Sequence, residues 1–259
     1  MGPRSLRQPS GAASPRPKCV FANTRWMVRF SDYDTRGYRM VDARTGYREW
    51  VSTYEQTVED AMDVALLEEL EQPDWQGVRR AADLGCGTGR TAAWLRRYGV
   101  AAIHGVDISP EMLGVARARG LHDRLVEAEV THTGLEGGAY DLVIACLVDE
   151  HLEDLNPLYR EALRLAAPGG LFILVGFHPH FIIASGMPTH FTNAAGEHVA
   201  IATHIHLVSD QVTAGLGAGW TLVEMREAVV DERWLELKPK WERFRNHPVS
   251  AAFVWRRPA

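Results

Sequence analysis

The sequence predicts an α/β fold, a largely parallel sheet covered by helices on both faces. Three observations predict it. Short apolar strands alternate with helical segments between residues 81 and 176. The first of these strands runs into a glycine-rich turn, Asp83-Leu84-Gly85-Cys86-Gly87-Thr88-Gly89, which opens a helix. Acids stand at three successive strand ends, as Asp83, Asp107 and Glu129. Strands that read as near-continuous apolar runs are buried on both sides, as in a parallel sheet between two helical layers.

Each element follows from local rules. Residues 1–18 hold Pro3, Pro9, Pro15 and Pro17 and lack apolar periodicity, which predicts a disordered tail. The tail is acid-poor, as transit peptides are, but its prolines oppose the amphipathic helix such peptides form. It lacks the apolar stretch of a secretory signal, and Leu6 stands where myristoylation needs Ser or Thr. Residues 50–71 predict one helix, because Val58, Met62, Ala65, Leu66 and Leu70 keep helical spacing and Pro73 closes the run. Strand Ala81–Leu84 leads to a helix from Gly89, and strand Ala102–Val106 to a helix from Ser109. Ser109-Pro110 is a hydroxyl N-cap followed by proline at the first helical position. Strands Leu125–Glu129 and Asp141–Cys146 come next, then a helix over 157–166. Pro168-Gly169-Gly170 turns the chain into strand Leu171–Gly176. A helix near 209–218, a strand near Thr221–Arg226 and a strand near Ala251–Trp255 complete the pattern. The chain thus divides into the tail (1–18), an N-terminal cap (19–77) and a core (78–259) with insertions at 177–206 and 231–247. No internal repeat is visible.

Composition excludes several classes. The chain has 259 residues, 46% hydrophobic and 24% charged, enough for a folded core in one large α/β domain with additions. Its run Leu171–Phe177 is far short of the roughly 20 apolar residues a spanning helix needs, so no membrane partner is expected. Cys19, Cys86 and Cys146, with no CxxC, exclude a disulfide framework and a thiolate zinc site. The expected location is cytoplasmic. The net charge is −5, and residues 1–18 hold four basic residues and no acid, leaving −9 for the rest. A body that acidic argues against nucleic acid, which needs a basic face. Of 11 histidines, His178, His180, His190, His198, His204 and His206 fall within 29 residues.

The glycine loop carries the most specific chemistry. Glycines there permit a tight turn and a close backbone approach to a ligand. A dinucleotide fingerprint wants glycine at position 90, which is Arg90, and no GK[ST] follows for a nucleotide-phosphate loop. Asp107 ends its strand 22 residues beyond Gly85, where an acid that bonds ribose hydroxyls belongs. Glu129 is placed to accept from an adenine amino group. Three strand-end acids repel a pyrophosphate and suit an adenosine ligand with a cationic end. S-adenosylmethionine, with its sulfonium and ammonium, is such a ligand.

With these residues on hand, the sequence resembles the class I S-adenosylmethionine-dependent methyltransferases. The resemblance runs through DLGCGTG (83–89), VDISPEML (106–113), YDLVIACLV (140–148) and PGGLFILV (168–175). It covers residues 79–176 and is nearest to the small-molecule branch that includes ubiquinone- and menaquinone-biosynthesis-like enzymes. It implies a Rossmann-like sheet of seven strands ending in an antiparallel hairpin. It implies S-adenosylmethionine as cofactor, at Asp83, Gly85, Cys86, Gly87, Gly89, Asp107, Ile108, Met112, Glu129, Val130 and Cys146. Many members carry Asp at the position of Glu129; the carboxylate is retained. The segment Tyr47 to Glu55 resembles the YDxxAxxYD-type N-terminal helix of such enzymes. That implies Tyr54 near the methionine carboxylate and Trp50 as a wall, against a reading of ordinary helix packing.

Strand ends also point to the acceptor. Asp149-Glu150-His151 follows the strand ending at Cys146, and His178-Pro179-His180 follows the strand ending at Gly176. Methyl transfer needs positioning and, for a hydroxyl or protonated amine, a base. His151 titrates near neutrality, and Glu150 or Asp149 is placed to orient it; the bland alternative is that the acids cap the next helix. The histidine cluster admits a polar pocket for substrate, satisfied surface histidines, or metal chelation if His178-x-His180 and His204-x-His206 are extended. The pocket reading, with His178, His180 and His190 as substrate contacts, is preferred over a metal. Residues 231–247, with Trp234, Lys238, Lys240, Trp241, Arg243 and Arg245, suit a lid that binds a carboxylate or phosphate, a dimer surface or, last, nucleic acid. Trp241 is taken as a substrate contact.

The expected function is methyl transfer to an oxygen or nitrogen of a small metabolite by a monomer or homodimer. Amino-type DNA methyltransferases need [DNS]PP[YFW] after the fourth strand and cytosine-C5 enzymes need Pro-Cys; the chain has Cys146-Leu147-Val148-Asp149. A protein side-chain methyltransferase and a non-catalytic S-adenosylmethionine-binding regulator stay open.

Overall fold

The structure, a computed structural model, describes residues 28–58 and 60–259. The tail expected at 1–18 lies outside the described residues. In chain order the elements are β1 (Arg39–Val41), α1 (Ala43–Trp50), α2 (Tyr54–Thr57), α3 (Val64–Glu68), β2 (Arg80–Leu84), α4 (Arg90–Arg97) and β3 (Ala102–Asp107). Then come α5 (Pro110–Arg119), β4 (Arg124–Glu127), β5 (Tyr140–Cys146), α6 (Asn156–Leu165), β6 (Ala166–Phe177) and α7 (Pro179–Ser185). The remainder is β7 (His190–Thr192), β8 (His198–Ile201), α8 (Val208–Ala218), β9 (Thr221–Val229), α9 (Glu232–Leu237) and β10 (Pro248–Arg256).

Seven strands form one sheet in the order β4-β3-β2-β5-β6-β10-β9. Only β10 breaks the parallel pattern; it runs antiparallel to both β6 and β9. The α/β class, the seven strands and the C-terminal hairpin therefore stand as the sequence predicts. Strand alternation builds two cores. Leu84, Val143, Phe172 and Leu174 face α6, meeting Leu158, Tyr159 and Ala162. Leu142, Ile144, Ile173 and Val175 face the other way, meeting Leu66 and Leu67 of α3 and Trp94 and Leu95 of α4. Burying each such side chain contributes roughly 1.5–3 kcal/mol.

The single helix expected over 50–71 is broken. It becomes α1, α2, a 3-10 turn at Asp60–Met62, and α3. Short polar side chains bond nearby backbone at the breaks. Thr53 Oγ1 donates to the Trp50 carbonyl, and Asp63 accepts from the Val64 N–H at 2.8 Å. Asp63 is also held by Arg90 at 2.9 Å in a buried pair.

The insertion after β6 joins the N-terminal segment. β8 pairs in parallel with β1 and antiparallel with β7, giving a second, three-stranded sheet. Helix α1 starts at Asp42, whose carboxylate accepts from the Thr45 N–H at 2.9 Å. It lies against β8 at Gly46, where an added Cβ would stand 2.5 Å from Ile201 Cγ1. Trp50 then stacks on Phe191, with ring centroids 5.4 Å apart and planes 9° from parallel. Glu55 of α2 accepts from Thr88 and from Arg119, fastening this cap over the glycine loop.

Candidate active site

The sheet reverses its winding between β2 and β5, and open α/β sheets bind ligands at the strand C-termini of such a point. A cleft of about 300 Å3 opens there. Gly85 and Gly87 line it after β2, Asp107 and Ile108 at the end of β3, Glu129 to Thr131 beyond β4, and Cys146 to Val148 at the end of β5. Gly85 has φ +72°, and an added Cβ would stand 2.9 Å from Val148 Cγ2, so backbone and space both demand glycine. Asp107 ties the loop down. Its Oδ2 accepts from the Gly87 N–H and its Oδ1 from the Ser109 N–H, each at 2.8 Å. Burial raises the Asp107 pKa.

Beyond β5 the backbone is strained at Leu147, where φ is +56°. A non-glycine residue there costs roughly 1–3 kcal/mol. The bend turns the chain into a 3-10 turn at Asp149–His151. His151 Nδ1 lies 2.9 Å from the Ala202 carbonyl oxygen, which only accepts, so Nδ1 carries the proton. Nε2 is then the free base, and the Tyr47 hydroxyl donates to it at 2.9 Å. Burial lowers the His151 pKa, so the ring is neutral at pH 7. Burial likewise pushes the Tyr47 phenol well above its ordinary value, so it keeps its proton. Tyr47 comes from α1 and Ala202 follows β8, so the N-terminal cap and the insertion paired with it each supply one partner that orients His151.

Glu150 Oε1 lies 3.7 Å from His151 Nε2 and accepts from the Thr189 hydroxyl at 3.3 Å. Its Oε2 is buried without a partner among the described residues, and burial pushes the carboxyl up to about 7. Asp149 sits deeper. Gln211 Nε2 donates to its Oδ2 at 2.6 Å, while burial and the neighbouring Glu150 raise its pKa.

A second cavity of about 580 Å3 adjoins the first and shares Tyr47, Tyr54 and Leu147 with it. Its walls are aromatic: Trp50, Phe177, Phe181, Phe191, Trp234 and Trp241. Trp234 and Trp241, from the segment before β10, stack at 5.1 Å with planes 14° apart. Glu150 and His190 also face this cavity. His190 Nδ1 donates to the Pro188 carbonyl at 2.8 Å. Its pKa is lowered by burial and further by the nearby charges of Arg36, His198 and Lys240.

Most of the residues singled out in the sequence meet at these two cavities. Tyr54, Gly85, Gly87, Asp107, Ile108, Met112, Glu129, Val130, Cys146 and His151 line the first; Trp50, Glu150, His190 and Trp241 line the second. Others stand elsewhere. Asp83 is buried beneath the loop, 3.5 Å from His122 Nε2, because β2 carries it into the sheet before the cleft begins. Cys86 is buried as well, Gly89 caps α4, and Asp149 lies behind the cavity wall. Glu129 stands past the strand end, because β4 stops at Glu127. His178 and His180 are drawn away. A helix begins at Pro179, so the pair is not extended; His178 Nδ1 accepts from the His180 N–H and Nε2 donates to Glu227. His206 Nε2 donates to the Leu152 carbonyl. Among the described residues, no three His, Cys, Asp or Glu side chains gather to hold a metal. Tyr47 carries no assignment in the sequence, although it lies three residues before Trp50, on the same face of α1.

The seven-stranded sheet with its C-terminal antiparallel hairpin, and a cleft at the point where the winding reverses, give a Rossmann-like fold of the kind expected from the resemblance. The family described as "Methyltransferase domain" matches residues 82–174. The chain is 33% identical over 154 residues to a malonyl-[acyl-carrier protein] O-methyltransferase of Halorhodospira halophila, covering 58% of this chain and 50% of that protein. It is 35% identical over 106 residues to a demethylmenaquinone methyltransferase of Thermus thermophilus, covering 39% and 48%. It spans half or less of the length of these curated relatives. The fold is similar to a crystal structure of an S-adenosylmethionine-dependent methyltransferase from Mesorhizobium loti, with 24% identity and a TM-score of 0.61 over 76% of this chain and 98% of that one.

The residues of the cleft fit S-adenosylmethionine. Ile108, Met112 and Val130 give an apolar slot for a purine, and Asp107 keeps lone pairs for ribose hydroxyls. Asp107, Glu129 and Glu153 line the cleft, whereas no lysine or arginine does among the described residues. That lining suits a cationic ligand.

Proposed function

We propose that this chain is an S-adenosylmethionine-dependent methyltransferase that methylates an oxygen or nitrogen of a small molecule. One observation carries the reading: the cofactor cleft and the aromatic cavity meet at Tyr47, beside the base His151. When bound, S-adenosylmethionine supplies an electrophilic methyl carbon on a sulfonium. Asp107 holds the ribose, Ile108, Met112 and Val130 the purine, Glu129 the adenine amino group, and Tyr54 the methionine carboxylate. Trp50, Trp241 and His190 position the acceptor. His151 Nε2 takes the acceptor's proton, with the Tyr47 hydroxyl passing its own proton to Nε2 as it receives the new one. The Ala202 carbonyl holds the tautomer that leaves Nε2 free.

The names of relatives support both acceptor types, since they include malonyl-[acyl-carrier protein] O-methyltransferase and norajmaline N-methyltransferase. No helix among the described residues is long and apolar enough to cross a membrane. A cytoplasmic location is part of the reading, supported by the free thiols of Cys86 and Cys146.

The test is incubation with methyl-labelled S-adenosylmethionine and a panel of small hydroxyl and amine metabolites. Label in a small molecule is the expected result. Cofactor binding with no transfer in any extract overturns it and leaves a non-catalytic binder. Label found only in protein points to a side-chain methyltransferase.

A further inference from the structure

The two adjoining cavities have opposite charge. Among the described residues, the acids Asp107, Glu129 and Glu153 line the cofactor cleft and no lysine or arginine does. The aromatic cavity has Arg36, Lys238, Lys240 and Arg243 around it, with Glu150 as the one acid among the described residues. The cations are not spread evenly. Arg36, Lys240 and Arg243 are exposed, and among the described residues none of their side-chain cations forms an ion pair; Asp34 accepts only from the Arg36 backbone N–H. Lys238 is partly buried, its ammonium 5.6 Å from the centre of the Trp241 ring. Beneath this rim come the aromatic walls, and Glu150 lies on the inner side beside His151.

Charge of one sign collected at the mouth of an apolar pocket attracts a ligand that is apolar at one end and oppositely charged at the other. We propose that the acceptor is an amphipathic anion. Its apolar or aromatic body fills the cavity between Phe181, Trp234 and Trp241, its anionic terminus meets Arg36, Lys240 and Arg243, and its methylated atom sits at the Tyr47–Leu147 seam. This deepens, and rests on, the methyltransferase reading. His190, on the cavity wall, has its pKa lowered by burial and then by the charges of Arg36, His198 and Lys240, so two of the rim cations act at one place. The arrangement also separates substrates. A cationic amphiphile meets rim repulsion, and an anion is repelled from the carboxylate-lined cofactor cleft, so each ligand is directed to its own cavity.

The experiment measures binding of four probes with one body: 2-naphthoate, 2-naphthyl phosphate, 2-naphthylmethanol and 2-naphthylmethylamine. Quenching of the cavity tryptophans reports the affinity of each. The two anions are expected to bind at least about tenfold more tightly than the alcohol, and the amine most weakly. The preference shrinks as salt rises from 50 to 500 mM, because the rim is exposed. The ranking of carboxylate against phosphate identifies the terminus. In the double variant K240E/R243E the anion preference is expected to vanish or reverse, while affinity for S-adenosylhomocysteine stays within twofold. Equal affinities across the four probes, a preference for the amine, or an anion preference indifferent to K240E/R243E overturns the proposal. S-adenosylhomocysteine binding and labelled transfer, followed in parallel, keep this outcome separate from failure of the methyltransferase reading.

Discussion

The Tyr47 hydroxyl donates to His151 Nε2 across 2.9 Å, joining α1 of the cap to the strand-end turn of the core. The bond exists because Ala202 occupies Nδ1 from the other side. His151 therefore presents a single basic nitrogen, and it presents it toward the wall that both cavities share. Loss of either partner frees the ring to take another tautomer or orientation.

Removing the base is the direct test. His151→Ala is expected to lower kcat by roughly 100- to 10,000-fold on a hydroxyl or protonated amine acceptor. Binding of S-adenosylhomocysteine, followed by calorimetry, should stay within about threefold. Tyr47→Phe is expected to lower kcat less, by about tenfold. Since burial depresses the His151 pKa, the acid limb of the wild-type profile should lie below pH 6.5. An unaltered rate in H151A removes His151 from the mechanism.

Asp107 holds both the loop and the ribose position. Asp107→Ala should weaken S-adenosylhomocysteine binding by about 1.5–3 kcal/mol, or some 10- to 150-fold, as lost hydrogen bonds to a charged group do. Calorimetric titration checks this, and affinity within twofold of wild type contradicts it.

Glu150 sets a pH dependence of stability. Its carboxyl has a pKa of about 7 when folded, against 4.5 ordinarily, because burial disfavours the charge. Between these values the folded state binds the proton and the unfolded state does not. Stability is thus fully present below about pH 4.5 and is lost as pH rises toward 7, by about 3 kcal/mol. Asp149 adds in the same direction. Urea unfolding from pH 5 to 8 should show this fall, and Glu150→Gln should flatten it. Parallel pH profiles in wild type and variant refute the assignment.

Gly46 tests whether the cap orients His151. A side chain there meets Ile201, so Gly46→Val should cost about 1–3 kcal/mol of cap stability through overpacking. Hydrogen exchange should quicken over 39–50 and 198–202, kcat should fall, and S-adenosylhomocysteine should still bind. Unchanged exchange across those segments contradicts the contact.

The core was legible because its signals are local. The short apolar strand runs, the Ser109 N-cap with Pro110 and the glycine turn at 85–89 each depend on neighbours in sequence. The region from 50 to 71 was not, since Thr53 bonds back to the end of α1 and Asp63 starts α3 anew, through hydrogen bonds that compete with apolar spacing. His178 misled for a related reason: Pro179 starts a helix, and the imidazole becomes its cap. Tyr47 went unassigned because its partner is 104 residues away.

By itself the sequence determined the α/β class, the strand order of chemistry around the glycine loop, and the carboxylates suited to a cationic nucleoside. Those rest on residues within one strand-turn-helix unit. Only the tertiary structure decided which histidine is a base, which aromatics form a cavity, and where the cations gather. These depend on β1 pairing with β8 across about 160 residues, and on α1 closing over the turn at 149–151. Local propensity carries no information about such contacts, because their free energy appears only when distant apolar faces bury one another.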